Sequence, residues 1–237
     1  MSKPMADAIK AFLSAARTTH GAPQEDPSSH FRRDHEDPIV AEVVYSLLLW
    51  ESDHQRACRG FEAIEKTLTG LNELRVCDAD EIAAMLPRDT PGRQDRAARL
   101  VAILNDIFAR EHALTLASLA GAPKREARQY LDGLQGMPPF VAARVALIAI
   151  GGHAVPADDR IAGVLAKHGV IEDLTLSNAE LISQLERAVR ASDAPEAYAL
   201  LECEAATLKT SRRASRPKPR SPKKSAAKRG RNSKAEP

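Results

Sequence analysis

The chain has 237 residues, of which 43% are apolar and 28% are charged, so it can bury the core of one large domain or two small ones. No run of about 20 apolar residues is present, which argues against a membrane-spanning helix. The three cysteines are an odd number at wide spacing, and this favours reduced thiols in a cytoplasm over a disulfide framework.

The net charge of +2 conceals an acidic body joined to a cationic tail. Residues 209–237 contain twelve of the 34 Lys and Arg residues and one of the 32 acids, which gives about +11 for the tail and about −9 for residues 1–208. The tail has no Val, Ile, Leu, Phe, Tyr or Trp, so nothing in it can offset the entropy of ordering. We therefore predict that residues 209–237 are disordered.

Blocks of Lys and Arg with Pro and Ser are typical of nucleic-acid-binding arms, because each cation can displace counterions from phosphates. Residues 221–224 (SPKK) resemble the repeats of histone tails, which makes Lys223 and Lys224 candidate DNA contacts. A solubilising or membrane-surface tail without a specific partner is the alternative.

Helical patterns cover most of the remaining chain, and strand-like alternation is absent. A first helical pattern at 4–18 is followed by a polar loop, in which Pro and paired charges disfavour regular structure. Further helices are predicted at 39–51, 53–68, 79–86, 91–111, 115–120, 124–132, 139–150, 159–168, 178–190 and 194–207. The pattern predicts an all-α fold.

Several of these helices have a recognisable start. Asp37 is a suitable N-cap before a proline at the first helical position, and the helix that follows is apolar nearly all round, as a central buried helix would be. Three further starts have the spacing of a capping box, namely Asp78 with Glu81, Ser177 with Glu180, and Asp193 with Glu196.

Residues 134–169 contain the most informative pattern, in which a tight hairpin joins two helices and paired aspartates open a further helix. Such a hairpin can bind one DNA phosphate through backbone amides, helped by the positive end of the following helix, without reading the base sequence. Gly136 and Met137 of the hairpin, and Phe140 and Val141 after it, are therefore candidate DNA contacts.

These residues resemble the motif of the helix-hairpin-helix DNA glycosylase superfamily, which includes endonuclease III, adenine glycosylase and the alkyl-base glycosylases. By this resemblance Gly136 takes the place of the first hairpin glycine, Pro138 that of the second, and Phe140 that of the lysine nucleophile. Asp158 takes the place of the catalytic aspartate, which leaves the following helix in register up to Gly169.

The resemblance continues more faintly over residues 35–205 and implies the superfamily's two-lobed helical fold for residues 35–208. An N-terminal helix and polar loop (1–34) would precede this domain, and the disordered tail would follow it. Trp50 falls where a side chain often fills the gap left by a flipped base, although a tryptophan of the core is the alternative.

The implied function is base-excision repair by a monofunctional DNA N-glycosylase. The carboxylate of Asp158 would stabilise the cationic sugar formed as the N-glycosidic bond breaks, or would activate water. Asp159 is the alternative acid, because some members of the superfamily place it one residue later, and either aspartate could instead serve only as a helix cap. Phe140 cannot form a Schiff base, so no lysine-dependent lyase step is expected.

The departures from the motif shape the remaining expectations. Cys203 is the one cysteine in the region where many members bind an iron–sulfur cluster, so we expect no cluster. The seven histidines are scattered without ligand spacing, so we expect no metal site. We expect a monomer acting on double-stranded DNA, with no membrane, in a bacterial cytoplasm and associated with the nucleoid. Pro138, Phe140 and the acidic body leave an alternative, a catalytically degenerate protein of the same fold that binds DNA or a partner.

Overall fold

The computed structural model describes residues 3–21, 35–172 and 175–214. Within these ranges the regular structure is helical and no residue lies in a strand, so the predicted all-α fold is confirmed. The helices are α1 (Lys3–His20), α2 (Pro38–Leu49), α3 (His54–Thr67), α4 (Leu71–Val76), α5 (Ala79–Met85), α6 (Arg93–Glu111), α7 (Ser118–Gly121), α8 (Lys124–Asp132), α9 (Pro139–Ile148), α10 (Asp159–Lys167), α11 (Asn178–Ala188) and α12 (Ala194–Ala214), with a short 3-10 turn at Ala191–Asp193.

Side-chain caps fix the starts of several helices. The Asp37 carboxylate accepts hydrogen bonds from the amides of Ile39 and Val40 at 2.9 and 3.0 Å, and Pro38 occupies the first position of α2. Complete capping boxes open α5 and α11, as their sequences predict. Each cap satisfies amides that have no partner within the helix, which stabilises the helix by about 1 kcal/mol.

Two buried helices, α2 and α9, form the centre of the fold. Every α2 residue after Pro38 is buried, and α9 is buried from Phe140 to Leu147. The two helices pack on each other, while α3 and α6 cover α2 and α8, α11 and α12 cover α9. No helix within the described ranges combines the length and apolar character needed to cross a membrane.

The N-terminal helix α1 docks on α11 and α12. Its residues Ile9, Phe12 and Ala16 are part of the core, and the Arg17 guanidinium pairs with the Glu196 carboxylate. Because Glu196 is engaged by α1, the capping box predicted for Asp193 and Glu196 is wrong. Asp193 lies instead in the 3-10 turn, where its carboxylate accepts a hydrogen bond from the Ser192 hydroxyl.

One helix was not predicted, and one helix boundary differs from the sequence prediction. Helix α4 was not predicted, because six residues are too few to show a helical period. Helix α12 continues to Ala214, past the helix end predicted at residue 207, because Lys, Arg, Thr and Ser after Leu208 tolerate a helix that has already started. The rest of the predicted tail, including Lys223 and Lys224, lies outside the described residues.

Candidate functional site

The hairpin between α8 and α9 is a tight turn at Gly136. The Met137 amide donates to the Leu134 carbonyl oxygen at 3.2 Å, which closes the turn. Gly136 has φ of +81°, a left-handed conformation that favours glycine, and a Cβ added there would lie 3.5 Å from the Ala102 Cβ of α6. The turn conformation therefore favours glycine here, whereas a Cβ would make only an ordinary contact with α6.

Few backbone N–H groups of the hairpin are left for a ligand. The Gln135 amide donates to Asp106 Oδ2 at 2.8 Å, and the Met137 amide is used in the turn. Pro138 and Pro139 have no N–H group at all. The sequence analysis identified Pro138 as a departure from the motif, whereas the effect of the second proline and the two internal bonds were missed.

The residues that open α9 face the core. Phe140 and Val141 are both fully buried, and the Val141 amide donates to the Pro138 carbonyl oxygen at 3.0 Å. Neither side chain is available to DNA, and the Phe140 amide is enclosed with the rest of that residue. The Gly136 amide, on an exposed residue, is therefore the one that remains for a phosphate in this turn.

Phe140 occupies the motif position of the lysine nucleophile, but its surroundings exclude such a role. Its ring centroid lies 6.4 Å from that of Tyr198, and the Arg160 guanidinium carbon lies 6.0 Å from the Phe140 centroid. An amine at this position would be buried beside a guanidinium, which disfavours both its charged form and its access to a substrate.

Trp50 lies half-buried at the end of α2, beside the hairpin. The guanidinium carbons of Arg96 and Arg99 lie 5.7 and 5.1 Å from the ring centroid, within cation–π range. Arg99 also donates to the Gly136 carbonyl oxygen at 3.0 Å, which joins the tryptophan to the hairpin.

Arg96 is a core residue of α6. It is 2% exposed, and its guanidinium donates to the carbonyl oxygens of Leu47, Trp50 and Pro91. Burial lowers the pKa of Arg96 to about 10, so the group stays charged at neutral pH. It fixes the end of α2 against α6 and so sets the position of Trp50.

Asp158 is the N-cap of α10 and is fully buried. Its Oδ1 accepts from the amides of Arg160 and Ile161 at 3.1 and 3.2 Å. Its Oδ2 accepts from the Glu51 amide and from Arg160 Nε, both at 2.8 Å. A carboxylate has about four lone-pair sites, so these four donors leave none free. Asp158 therefore joins the start of α10 to the end of α2.

The partner of Asp158 is itself shared with a second carboxylate. Arg160 Nη1 and Nη2 donate to Glu202 of α12 at 3.1 and 2.9 Å. Burial acts to lower the pKa of Arg160, but the charges of Glu202 and Asp158 outweigh it and raise the pKa. Burial likewise acts to raise the pKa of Glu202, and Arg160 outweighs it, so that pKa is lowered. Asp158, Arg160 and Glu202 form what we call the buried triad.

Two further carboxylates lie at the same end of α10. Asp159 is the first residue of α10 and is exposed. Glu51 is half-buried and has φ of 51°, a left-handed conformation that non-glycine residues rarely adopt. Burial first, and then the charges of Asp159 and Asp158, raise the pKa of Glu51. Glu51 was not predicted as a site residue, because its link to Asp158 spans 107 residues.

The residues present do not fit the iron–sulfur cluster that many proteins with the hairpin motif bind. Such a cluster needs four cysteine thiolates, and the whole sequence contains three cysteines. Cys58, Cys77 and Cys203 are half-buried and none of them forms a disulfide. In the part of the chain that the structure describes, no group of three or more His, Cys, Asp or Glu side chains could hold a metal ion.

No protein-family model matches the sequence, and no curated protein matches it significantly. Solved structures do match its fold. A DNA complex of endonuclease III, trapped as a covalent intermediate, has a TM-score of 0.62 at 13% identity, with 85% of each chain covered.

Two further matches cover nearly the whole of the other protein. The 3-methyladenine DNA glycosylase of H. pylori, bound to 1,N6-ethenoadenine, has a TM-score of 0.54 at 14% identity, with 88% of this chain and 98% of that one covered. The 8-oxoguanine DNA glycosylase of Thermotoga maritima has a TM-score of 0.55 at 16% identity, with 86% and 96% covered. The chain therefore has the fold of the helix-hairpin-helix DNA glycosylase superfamily, as the motif predicts.

Proposed function

We propose that this protein is a monofunctional DNA N-glycosylase that removes a damaged or mismatched base from double-stranded DNA and acts as a monomer. The observation that carries the proposal is the group of carboxylates at the N-terminus of α10, in the place where the motif puts a catalytic aspartate. Proteins of this fold include glycosylases that act on several different bases, so the fold supports the reaction type and leaves the base open.

Within this group we assign the acting carboxylate to Asp159. It is exposed on the first turn of α10, where the helix dipole favours a negative charge. From there its charge can stabilise the cationic sugar, or it can take a proton from the attacking water. Asp158 has no free lone pair and no exposed surface, so its role in this proposal is to hold the start of α10 in place.

The reaction proposed ends at the abasic site. A lyase step needs an amine that attacks the sugar, and the motif position for that amine holds the buried ring of Phe140. The protein would work without an iron–sulfur cluster, since its three cysteines cannot supply the four ligands.

DNA affinity in this proposal comes from two sources. The hairpin offers the exposed Gly136 amide, and Trp50, joined to the hairpin through Arg99, would fill the space left by an extruded nucleotide. The cationic residues after Leu208, including Lys223 and Lys224, would add contacts to phosphates that do not depend on base sequence.

The proposal is tested by incubating the protein with duplexes that carry uracil, alkylated purines or oxidised bases, then cleaving abasic sites with alkali. We expect release of at least one base, and loss of that release in Asp159→Asn without a change in the free energy of unfolding. Asp193→Asn is a matched control, since Asp193 is an exposed aspartate directly before another helix, α12, outside the site. Full activity in Asp159→Asn would refute the assignment to this residue.

A second candidate function is DNA binding without chemistry. It is favoured by the saturated carboxylate of Asp158 and by the two prolines that remove hairpin donors. Tight binding to every duplex with no base release from any of them would support this function and refute the first.

A further inference from the structure

The buried triad has a net charge of −1, whereas Asp158 and Arg160 without Glu202 would have none. Asp158 and Arg160 form an ion pair with no net charge, at 2.8 Å between Nε and Oδ2. Glu202 adds a second carboxylate to the same guanidinium, at 2.9 Å. Without Glu202, the anion at the start of α10 would be neutralised by its own neighbour.

The division of hydrogen bonds has the same effect. The Arg160 guanidinium donates two hydrogen bonds to Glu202 and one to Asp158, so most of its hydrogen bonding is with α12. The Tyr198 hydroxyl donates to Glu202 Oε1 at 3.2 Å, which further fixes that carboxylate. The triad is almost fully enclosed, with Asp158, Arg160 and Glu202 side chains 0%, 11% and 8% exposed.

Other charged groups surround the triad. Glu51 from the end of α2 and Asp159 from α10 add negative charge, whereas Arg96 from α6 adds positive charge. His54 Nε2 of α3 lies 4.0 Å from Glu202, and Arg144 of α9 donates to the Tyr198 hydroxyl at 3.0 Å. Arg144 is paired in turn with Glu42, so its charge is already balanced within the core.

We propose that Glu202 is a positioning residue that binds Arg160 and thereby preserves negative potential at the N-terminus of α10. This inference rests on the proposed function, because the ligand that would use this potential is the cationic sugar formed during base release. Glu202 is buried in α12, does not touch the substrate, and acts through Arg160.

The effect is large enough to measure because the triad is shielded from solvent, and buried charges are screened less than exposed ones. Removing one unit charge about 10 Å from a developing cation, at an effective dielectric constant of about 20, changes the rate on the order of tenfold. We therefore expect Glu202→Gln to slow base release about tenfold at saturating DNA, with little change in the affinity for undamaged duplex.

The experiment compares three variants of the full chain with the wild type, namely Glu202→Gln, Arg160→Gln and the two substitutions combined. Counted over the triad, Glu202→Gln has no net charge, whereas the double variant has −1, as the wild type does. The electrostatic role therefore predicts that adding Arg160→Gln to Glu202→Gln restores most of the lost rate. A merely structural role predicts that the double variant is no faster than Glu202→Gln.

A second readout does not depend on catalysis. Duplexes that carry a cationic pyrrolidine or a neutral tetrahydrofuran at an abasic position are compared by their Kd values. We expect the wild type to prefer the cationic duplex, the preference to fall about tenfold in Glu202→Gln, and the double variant to recover it. The matched control is Glu186→Gln, because Glu186 pairs with Arg128 at 3.0 Å outside the site.

The two proposals fail in different ways. The protein could prefer the cationic duplex in a way that depends on Glu202 and yet release no base from any substrate. That result would reject the glycosylase reaction and retain the role of Glu202. Base release with equal rates in wild type and Glu202→Gln would overturn the role of Glu202 and retain the reaction. Three results would overturn the inference. They are an unaltered preference for the cationic duplex in Glu202→Gln, no such preference in the wild type, and a folded double variant that recovers neither the rate nor the preference.

Discussion

Asp158→Asn should be strongly destabilising, because it changes one buried atom that faces two donors. The asparagine can still accept two hydrogen bonds through Oδ1, but its Nδ2 would face two N–H groups whichever way the amide is turned. Two buried hydrogen bonds to a charged acceptor are removed, at about 1.5 kcal/mol each, so the free energy of unfolding should fall by about 3 kcal/mol. For a domain of this size the melting temperature should fall by about 6–12 °C.

Urea denaturation of the wild type and the variant, with equal slopes, gives the difference directly. Asp78→Asn is the matched control, since Asp78 caps α5 at the surface and asparagine caps helices as well as aspartate does. We expect this control to stay within about 0.5 kcal/mol of the wild type. An Asp158→Asn variant as stable as the control would refute the role of Asp158 as an anchor, and with it the assignment of the acting carboxylate to Asp159.

Three other changes have expected outcomes that can be measured. Phe140→Lys should not create a lyase, because the amine would be enclosed beside Arg160. We expect the free energy of unfolding to fall by about 3 kcal/mol in urea denaturation, and no protein–DNA complex to be trapped by borohydride. A trapped complex would show that the position is accessible. Truncation after Ala214 removes nine Lys and Arg residues and should make the dependence of log Kd on log salt shallower, by about 0.9 for each phosphate that the tail neutralises; an unchanged slope would contradict DNA binding by the tail. Glu51→Gln should raise the free energy of unfolding at pH 7, because the pKa of Glu51 is raised in the folded protein and its ionised form is therefore destabilising there. This gain in stability should disappear below pH about 4, where the wild-type side chain is protonated in both the folded and the unfolded state. A gain that persists at low pH would contradict this reasoning.

Local rules were sufficient to predict most of the helices. Asp37 with Pro38, and the boxes at Asp78 and Ser177, are interactions over two or three residues that the sequence displays directly. The capping box expected at Asp193 does not form, because the Glu196 carboxylate pairs with Arg17, a residue 179 positions away. A competing tertiary contact of this kind has no local signal.

The candidate site shows the same limit more sharply. The hairpin glycine and the paired aspartates were found because their spacing forms a motif, but the motif does not reveal that Asp158 is saturated. Its donors include the Glu51 amide, which reaches it only after α2 ends in a left-handed turn. The pairing of Arg160 with Glu202 joins two helices across 42 positions and depends on how α10 and α12 pack. Such contacts follow from the assembled core and not from any periodic pattern.

The proposed reaction releases a base and leaves the DNA strand intact, and both products can be followed at once. Free base is measured by mass spectrometry and strand cleavage by gel electrophoresis in the same single-turnover reaction, before and after treatment with alkali. We predict free base from at least one damaged duplex, with strand cleavage only after alkali. Strand cleavage that keeps pace with base release before alkali, or no free base from any duplex, would contradict the proposed reaction.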